Sequence, residues 1–297
     1  MHMKANLPRI ITLFVSMWCF LATASFVYAD PVLWRLQSRN NTVFLFGSIH
    51  VADASVYPLR PAVETAYNQS DILVVEVDET QADQVKLNEI LMARGFYPGT
   101  ETIADHINQE TMQMLQSFLK KTGIPYATIA RMRPGLIAIT LTVARIVQLG
   151  YSPELGIDRY FLNKARKNKK TVQQLETAEA QMELLLSFSD NDLILKHTVI
   201  SLDDVDSMFN ELMNAWKSGD TSKIESVMLT EQLNEYPEFE SLFKRLFDDR
   251  NVSMTEKIEQ MLEQTKNYFV VVGTGHLVGE KGIVSLLKSH GYKVEQL

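Results

Sequence analysis

Cysteine is almost absent from this 297-residue chain. The single cysteine, Cys19, lies in an N-terminal stretch that we expect to be removed from the mature protein. The remaining chain then has no thiol for a disulfide, a cysteine nucleophile or a cysteine-ligated zinc site. Any metal ion would have to be bound by histidine and carboxylate side chains.

Positive charge is also scarce, with 29 Lys and Arg against 36 Asp and Glu. Nucleic acids and anionic membranes are bound by clustered cations, which this composition does not favour. The densest basic stretch, Lys164 to Lys170, is typical of the solvated end of a helix. We therefore expect a peptide or small-molecule substrate and no nucleic-acid partner.

Several familiar catalytic patterns are missing as well. The sequence contains no His-Glu-x-x-His, no Gly-x-Ser-x-Gly and no phosphate-binding loop. It also has no Pro/Gly-rich hinge, which favours one domain over residues 30–297.

The N-terminal segment, residues 1–29, has the pattern of a secretory signal peptide. Lys4 and Arg9 precede the uncharged stretch Ile10 to Tyr28, and small residues occupy the positions before a cleavage site after Ala29. We expect an exported protein, periplasmic or extracellular. The apolar stretch is nearly long enough to span a bilayer, so an uncleaved anchor, and with it a membrane contact, is the alternative.

Both ends of the mature chain repeat one pattern: an apolar strand, Gly-x-x-His, a helix and another strand. At the N-terminal end a hairpin leads through "TVFLFGSIHV" at 42–51 to the strand "DILVVEVD" at 71–78. At the C-terminal end "NYFVVVGTGH" at 267–276 precedes a helix and a terminal strand. The repeat predicts two βαβ-like halves that contribute to one central mixed sheet.

The region between the halves, residues 81–265, has apolar residues mainly at three- and four-residue spacing. It predicts a large helical insertion, with one short strand that ends at Glu176. The fold class is therefore α/β, in the broader α+β sense.

The two histidines that follow the strands, His50 and His276, are candidate metal ligands. Functional side chains gather at the carboxyl ends of parallel strands, and glycine permits a tight exit from each strand. Glu76 ends a third predicted strand and supplies a carboxylate. Two imidazoles and a carboxylate suit an open divalent metal site, which lowers the pKa of a bound water to about 7. A hydrogen-bonded structural histidine is the alternative for each site.

Five further polar residues could be functional or could only cap and solvate the ends of helices and strands. Glu154, Asp158 and Glu176 stand at helix or strand ends, where capping and solvation explain them. Arg250 and Asn251 follow an amphipathic segment, where Asn fits the end of a helix.

The chain resembles the TraB/GumN family, which also includes the Tiki-type proteases. The resemblance covers nearly all of the mature sequence, and its motifs occur in a specific order. They are "LWRL" at 33–36, "TVFLFGSIHV" at 42–51, "ILVVEVD" at 72–78, "ELGIDRYFLNKA" at 154–165, "LETAEAQ" at 175–181, "WKSGD" at 216–220, "RNVSM" at 250–254 and "VVGTGHLVGEKGI" at 271–283.

The resemblance implies a divalent-metal-dependent hydrolase, most simply a peptidase, with Zn, Mn or Co as the cofactor. It implies that His50, Glu76 and His276 bind the metal. The remaining motif residues become pocket residues, with Glu154, Asp158 and Glu176 as acidic groups. We assign the acid or base role to Glu154 and oxyanion stabilisation to Arg250 with Asn251.

Two rival functions use the same histidines. Related folds include haem-binding and esterase-like proteins, so one rival is a haem or ligand binder. The other is a regulator that sequesters a small peptide signal.

Overall fold

The computed structural model of the chain describes residues 32–187, 190–203 and 205–297. The predicted signal segment, residues 1–29, lies outside the described residues. None of the helices within these ranges has the length and apolar character needed to cross a membrane.

A six-stranded mixed sheet forms the centre of the fold, in the order β4-β3-β5-β2-β1-β6. The strands are β1 Leu33–Gln37, β2 Thr42–Ser48, β3 Ile72–Val75, β4 Thr171–Gln174, β5 Tyr268–Gly273 and β6 Val294–Gln296. Strands β4, β3, β5 and β2 run parallel to one another, whereas β1 is antiparallel to β2 and β6. Because β5 inserts between β2 and β3, the two ends of the chain share one sheet, as predicted.

Helices surround this sheet, and the region 81–265 is mainly helical, as the spacing predicts. The α-helices are α1 Pro61–Gln69, α2 Gln84–Arg94, α3 Gln109–Thr122, α4 Tyr126–Ile129, α5 Pro134–Gln148, α6 Ile157–Lys167, α7 Ala178–Leu186, α8 Asn191–Asp203, α9 Val205–Ser218, α10 Thr221–Glu225, α11 Glu231–Glu235, α12 Glu240–Phe243, α13 Asp249–Leu262, α14 Thr274–Leu277 and α15 Ile283–Ser289. Two segments, Ser226–Thr230 and Lys244–Asp248, are π-helical. Short 3-10 turns cover Ala54–Val56, Ile103–Asp105, Pro153–Leu155 and Pro237–Phe239.

Aromatic side chains from β2, β5 and α6 hold the helical layer on the sheet. The ring of Phe161 lies 4.9 Å from that of Phe269 and 5.9 Å from that of Phe46, measured between centroids. All three side chains are buried. Burying such a side chain stabilises the fold by roughly 1.5–3 kcal/mol, so this contact fixes α6 against the strand ends.

One expectation about local structure is wrong. The segment before Arg250 does not end a helix there, because α12, the π-helical segment Lys244–Asp248 and α13 follow one another directly. Asn251 is therefore in the first turn of α13 and not a helix C-cap. The wider π-helical turn inserts residues without breaking the helix, which three- and four-residue spacing cannot reveal.

Candidate active site

The four parallel strands end at the same edge of the sheet, and polar side chains follow each of them. His50 comes after β2, Glu76 after β3, Glu176 after β4 and His276 after β5. Residues 226 positions apart in sequence meet here because β2 and β5 are neighbours, with Ser48 opposite Gly273. We call the group His50, Glu76, Asp158, Glu176, Gln181, Arg250, Asn251 and His276 the strand-edge cluster.

Gly273 lies at the centre of this cluster. A Cβ atom placed on Gly273 would lie 3.1 Å from Oε1 of Glu76, 3.4 Å from Nε2 of His50 and 3.6 Å from Cδ2 of His276. The three predicted metal ligands therefore surround one α-carbon. The reason for glycine differs from the prediction: Gly273 has a φ of −51° and needs no special backbone freedom. The absence of a side chain on Gly273 leaves space for the side chains of His50, Glu76 and His276.

His50 is oriented by Asp158, which the start of α6 brings to it. The Nδ1 atom of His50 lies 2.9 Å from Oδ2 of Asp158, and the Ser48 hydroxyl donates to Oδ1 at 2.9 Å. Nδ1 must carry the proton in this contact, which leaves Nε2 as the atom that faces Gly273. The Asp158 carboxylate raises the pKa of His50 to about 9.

The approach of α6 to the His50 loop explains this pairing. The N–H of Ile157 donates to the carbonyl of Ile49 at 3.0 Å. A Cβ atom on Gly156 would lie 2.3 Å from the backbone oxygen of His50, so glycine is required for so close an approach. Asp158 then sits in the first turn of α6, where a carboxylate also suits the helix dipole.

His276 is oriented in the same way by Asn251. Its Nδ1 lies 2.6 Å from Oδ1 of Asn251, whose amide nitrogen donates to the carbonyl of Lys281 at 2.9 Å. These contacts fix the amide, so Nδ1 of His276 is the donor and Nε2 is left with a lone pair. Burial lowers the pKa of His276 to about 4, so the ring is neutral at pH 7.

The carboxylate of Glu76 is buried and held by several donors. Its Oε1 accepts from the N–H of Gly273 at 2.5 Å, and its Oε2 accepts from Arg250 at 2.9 Å. Burial disfavours its charge, but His276, His50 and Arg250 outweigh this effect and lower the pKa of Glu76. Glu76 is therefore ionised at neutral pH.

Arg250 joins two carboxylates from neighbouring strands. Its guanidinium donates to Glu176 at 2.7 and 2.9 Å and to Glu76 at 2.9 Å. Gln181, in α7, donates to both of these carboxylates as well, at 3.2 Å to Glu76 and 2.8 Å to Glu176. This network fixes the carboxylates in the cleft.

Glu154 lies apart from the strand-edge cluster. Its side chain is 70% exposed and forms an ion pair with Arg159 at 2.9 Å. It lines a separate pocket that contains Tyr57, Tyr160 and Lys164. Of the eight predicted site residues, the structure brings seven together and leaves Glu154 outside.

Sequence reasoning missed Ser48, Gln181 and the central position of Gly273. Ser48 stands inside the first Gly-x-x-His motif, and Gln181 ends the "LETAEAQ" segment. A polar residue five positions after Glu176, near the start of a helix, was a usable signal for Gln181. The contacts of Ser48 and Gly273 depend on strand order, which the sequence does not give.

The donor set suits a divalent cation, although the donor atoms are not at ligand spacing. Among the described residues, no group of three His, Cys, Asp or Glu side chains has the arrangement of a metal site. Nε2 of His276 lies 3.9 Å from Oε1 of Glu76, whereas two ligands of a tetrahedral zinc ion lie about 3.3 Å apart. The Nδ1 atom of each histidine is bonded to an oxygen, of Asp158 for His50 and of Asn251 for His276. Metal-binding histidines are commonly oriented by such a contact of the nitrogen that does not bind the metal.

The fold and this cluster define an α/β protein with a histidine and carboxylate site at the carboxyl edge of its sheet. The model of the TraB/PrgY/gumN family matches residues 32–296, and the chain belongs to that family. The resemblance found in the motifs is thereby confirmed.

Individual relatives extend this comparison. The uncharacterized protein YbaP of Escherichia coli is 26% identical over 261 residues, which are 88% of this chain and 93% of YbaP. Metalloprotease TIKI1 of Xenopus tropicalis is 22% identical over 317 residues, covering 89% of this chain and 61% of TIKI1. Human metalloprotease TIKI1 is 22% identical, with 90% and 62% covered. No solved structure matches significantly. Relatives across the matched region thus include named metalloproteases.

Proposed function

We propose that this protein is an exported, divalent-metal-dependent hydrolase that cleaves peptide bonds. The observation that carries the proposal is the convergence of His50, Glu76 and His276 around Gly273, with Nδ1 of both imidazoles already tied to an oxygen acceptor. The names of the distant TIKI relatives support the same reaction class.

His50 and His276 would hold the cation through Nε2, with Glu76 as the carboxylate ligand. When bound, the cation would act as a Lewis acid that polarises a carbonyl group and makes water a better nucleophile. Zn, Mn and Co all suit imidazole and carboxylate donors.

The other residues of the cluster orient these three. Asp158 holds the ring of His50, and Asn251 holds the ring of His276. Arg250 holds Glu76 and Glu176 in place. The Arg250 guanidinium donates to Glu76, Glu176 and the carbonyl of Leu246, and the amide nitrogen of Asn251 donates to the carbonyl of Lys281. We therefore propose positioning roles for Arg250 and Asn251. We propose Glu176, which lies in this network beside Glu76, for proton transfer in place of Glu154.

Metal content and peptide cleavage test the proposal together. We expect about one Zn, Mn or Co per purified chain, and cleavage of a casein-derived peptide mixture that a chelator stops. Both His50→Ala and His276→Ala should lose cleavage while they still unfold cooperatively; His50→Ala should keep the wild-type melting temperature, whereas His276→Ala should lower it because that ring is buried and bonded to Asn251. Cleavage at the wild-type rate in both variants would refute the mechanism, and a Soret band on haem titration would favour the haem-binding rival.

A further inference from the structure

Two pockets meet at the strand-edge cluster and share part of their lining. The shared residues are His50, Val51, Glu76, Gln181 and Leu185. One pocket, of about 520 Å³, extends along α6 and α2, and we call it the α6 pocket. The other, of about 490 Å³, extends to α9 and the π-helical segments, and we call it the α9 pocket. Each is within the size range of ligand sites.

The α9 pocket is lined mainly by apolar side chains. They come from five separate segments of the chain and include Ile146, Leu184, Phe209, Leu212, Met228 and Phe247. Met228 and Phe247 lie in the two π-helical segments, and both approach Gly275, next to His276. This lining suits a large apolar group placed directly beside the cluster, and methionine lets the pocket adapt its shape.

The α6 pocket is lined by both apolar and charged side chains. Its apolar lining includes Val77, Leu87, Ile139, Leu162 and Met182. Its lining also contains Arg159 and Glu79, which form an ion pair at 3.3 Å. The apolar part of this lining suits a second apolar group.

Among the residues that the structure describes, neither pocket offers an unpaired charge for a peptide terminus. A C-terminal carboxylate would need a cation, but Arg250 is held by Glu76 and Glu176. Arg159 is held by Glu79 and Glu154. An N-terminal amine would need a free anion, but Glu76 and Glu79 are bonded to these arginines and Asp158 is bonded to His50. The lining therefore favours an internal stretch of chain.

We propose that the two pockets form one groove for an extended internal peptide segment, with a large apolar side chain on each side of the bond to be cleaved. The proposal rests on the proposed hydrolase function and names its substrate class. A peptide suits the groove because its side chains alternate along an extended backbone and can enter both pockets at once. A single acyl chain would fill one pocket and leave the other empty.

Two lysine substitutions test this groove from its two sides. Leu212→Lys changes the α9 pocket alone, and Met182→Lys changes the α6 pocket alone. Val85→Lys, at a side chain 69% exposed in α2 and outside both linings, is the matched control. Cleavage sites are read by mass spectrometry in a library of peptides with acetylated and amidated ends.

We expect the wild type to cleave between apolar side chains, with about a tenfold or larger preference over charged ones. Each pocket variant should shift that preference towards acidic side chains on one side of the bond, and the two variants should affect opposite sides. Val85→Lys should cleave as the wild type does. Cleavage without apolar preference, or the same pattern in all three variants, would overturn the groove and leave the hydrolase standing.

A measurement of peptide binding tests the groove independently of the proposed hydrolase activity. Fluorescence anisotropy with a labelled, end-blocked apolar peptide is measured in the presence of a chelator. Binding that weakens in both pocket variants, without cleavage by the metal-loaded protein, upholds the groove and refutes the hydrolase. Binding of a fatty acid but not of the peptide overturns the groove, and absence of both binding and cleavage overturns both proposals.

Discussion

The carboxylate of Asp158 lies 2.9 Å from Nδ1 of His50 and is itself held by the hydroxyl of Ser48. The carboxylate accepts the Nδ1 proton of His50 and thereby turns Nε2 towards Gly273. The same arrangement recurs at His276, where Asn251 replaces the carboxylate with a neutral amide. The two histidines are thus alike in orientation but differ in charge.

Asp158→Asn should keep the geometry of His50 and remove the charge that raises its pKa. We expect the pKa of His50 to fall from about 9 towards its ordinary value of 6.5. Metal affinity should fall by about 10- to 100-fold, as for other outer contacts of metal ligands. NMR titration of the imidazole protons in metal-free protein measures the pKa, with His50→Ala to assign the signal. An unchanged pKa would show that Asp158 does not act through His50.

Glu154→Gln tests whether Glu154 is the general acid or base, as the sequence predicts, or lies outside the active site, as the structure indicates. A general base or acid contributes about 10²- to 10⁴-fold to the rate. The exposed position of Glu154, paired with Arg159, leads us to expect less than a twofold change in kcat. The same change at Glu176 should lower kcat by at least about 10²-fold. A loss of that size in Glu154→Gln would restore the sequence-based assignment.

The strands and both histidine motifs were predictable because they are encoded locally. Near-continuous apolar runs such as Tyr268–Gly273 indicate strands buried on both faces, and each run ends in Gly-x-x-His. Parallel strands of one sheet bring their motif residues to the same edge, so the meeting of His50 with His276 is consistent with the prediction that both halves contribute to one sheet.

The rest of the site depends on contacts between distant segments. The backbone of Gly156 approaches that of His50, and this contact separates Asp158, inside the cluster, from Glu154, outside it. Both carboxylates stand near the start of the same helix, so capping preference cannot distinguish them. The π-helical segment before Arg250 similarly sets which side chains of α13 face the cleft, and apolar spacing does not report it.

Arg250→Met should destabilise the fold because it leaves Glu76 and Glu176 without their cation. Both carboxylates are largely buried, with side-chain exposures of 7% and 16%. Breaking a buried ion pair costs about 3–5 kcal/mol, which urea denaturation can measure. Adding Glu176→Gln should recover part of that loss. Arg159→Met, at a more exposed ion pair, should change the free energy of unfolding by less than about 1 kcal/mol.

His197 should make the protein less stable in mild acid. Its ring packs against Phe239 at 4.5 Å and Phe243 at 5.9 Å, and its Nε2 is buried without a hydrogen-bond partner among the described residues. Burial lowers the pKa of His197 from its ordinary 6.5. The unfolded chain therefore takes up this proton first as the pH falls through about 6.5, and the free energy of unfolding decreases there.

Urea denaturation at pH 7.5 and pH 5.5 measures this effect. His197→Phe should show a smaller decrease between the two pH values than the wild type does. An equal decrease in the wild type and in His197→Phe would assign the acid sensitivity to other groups.

The central claim is that imidazoles from opposite ends of the chain bind one cation. A crystal structure of protein soaked in Zn²⁺ or Mn²⁺, with an anomalous difference map at the metal edge, tests it most directly. We predict one strong peak beside Gly273, about 2.0–2.2 Å from Nε2 of both His50 and His276. A metal-saturated crystal without that peak, or with the ion bound to one of the two rings alone, would contradict the account.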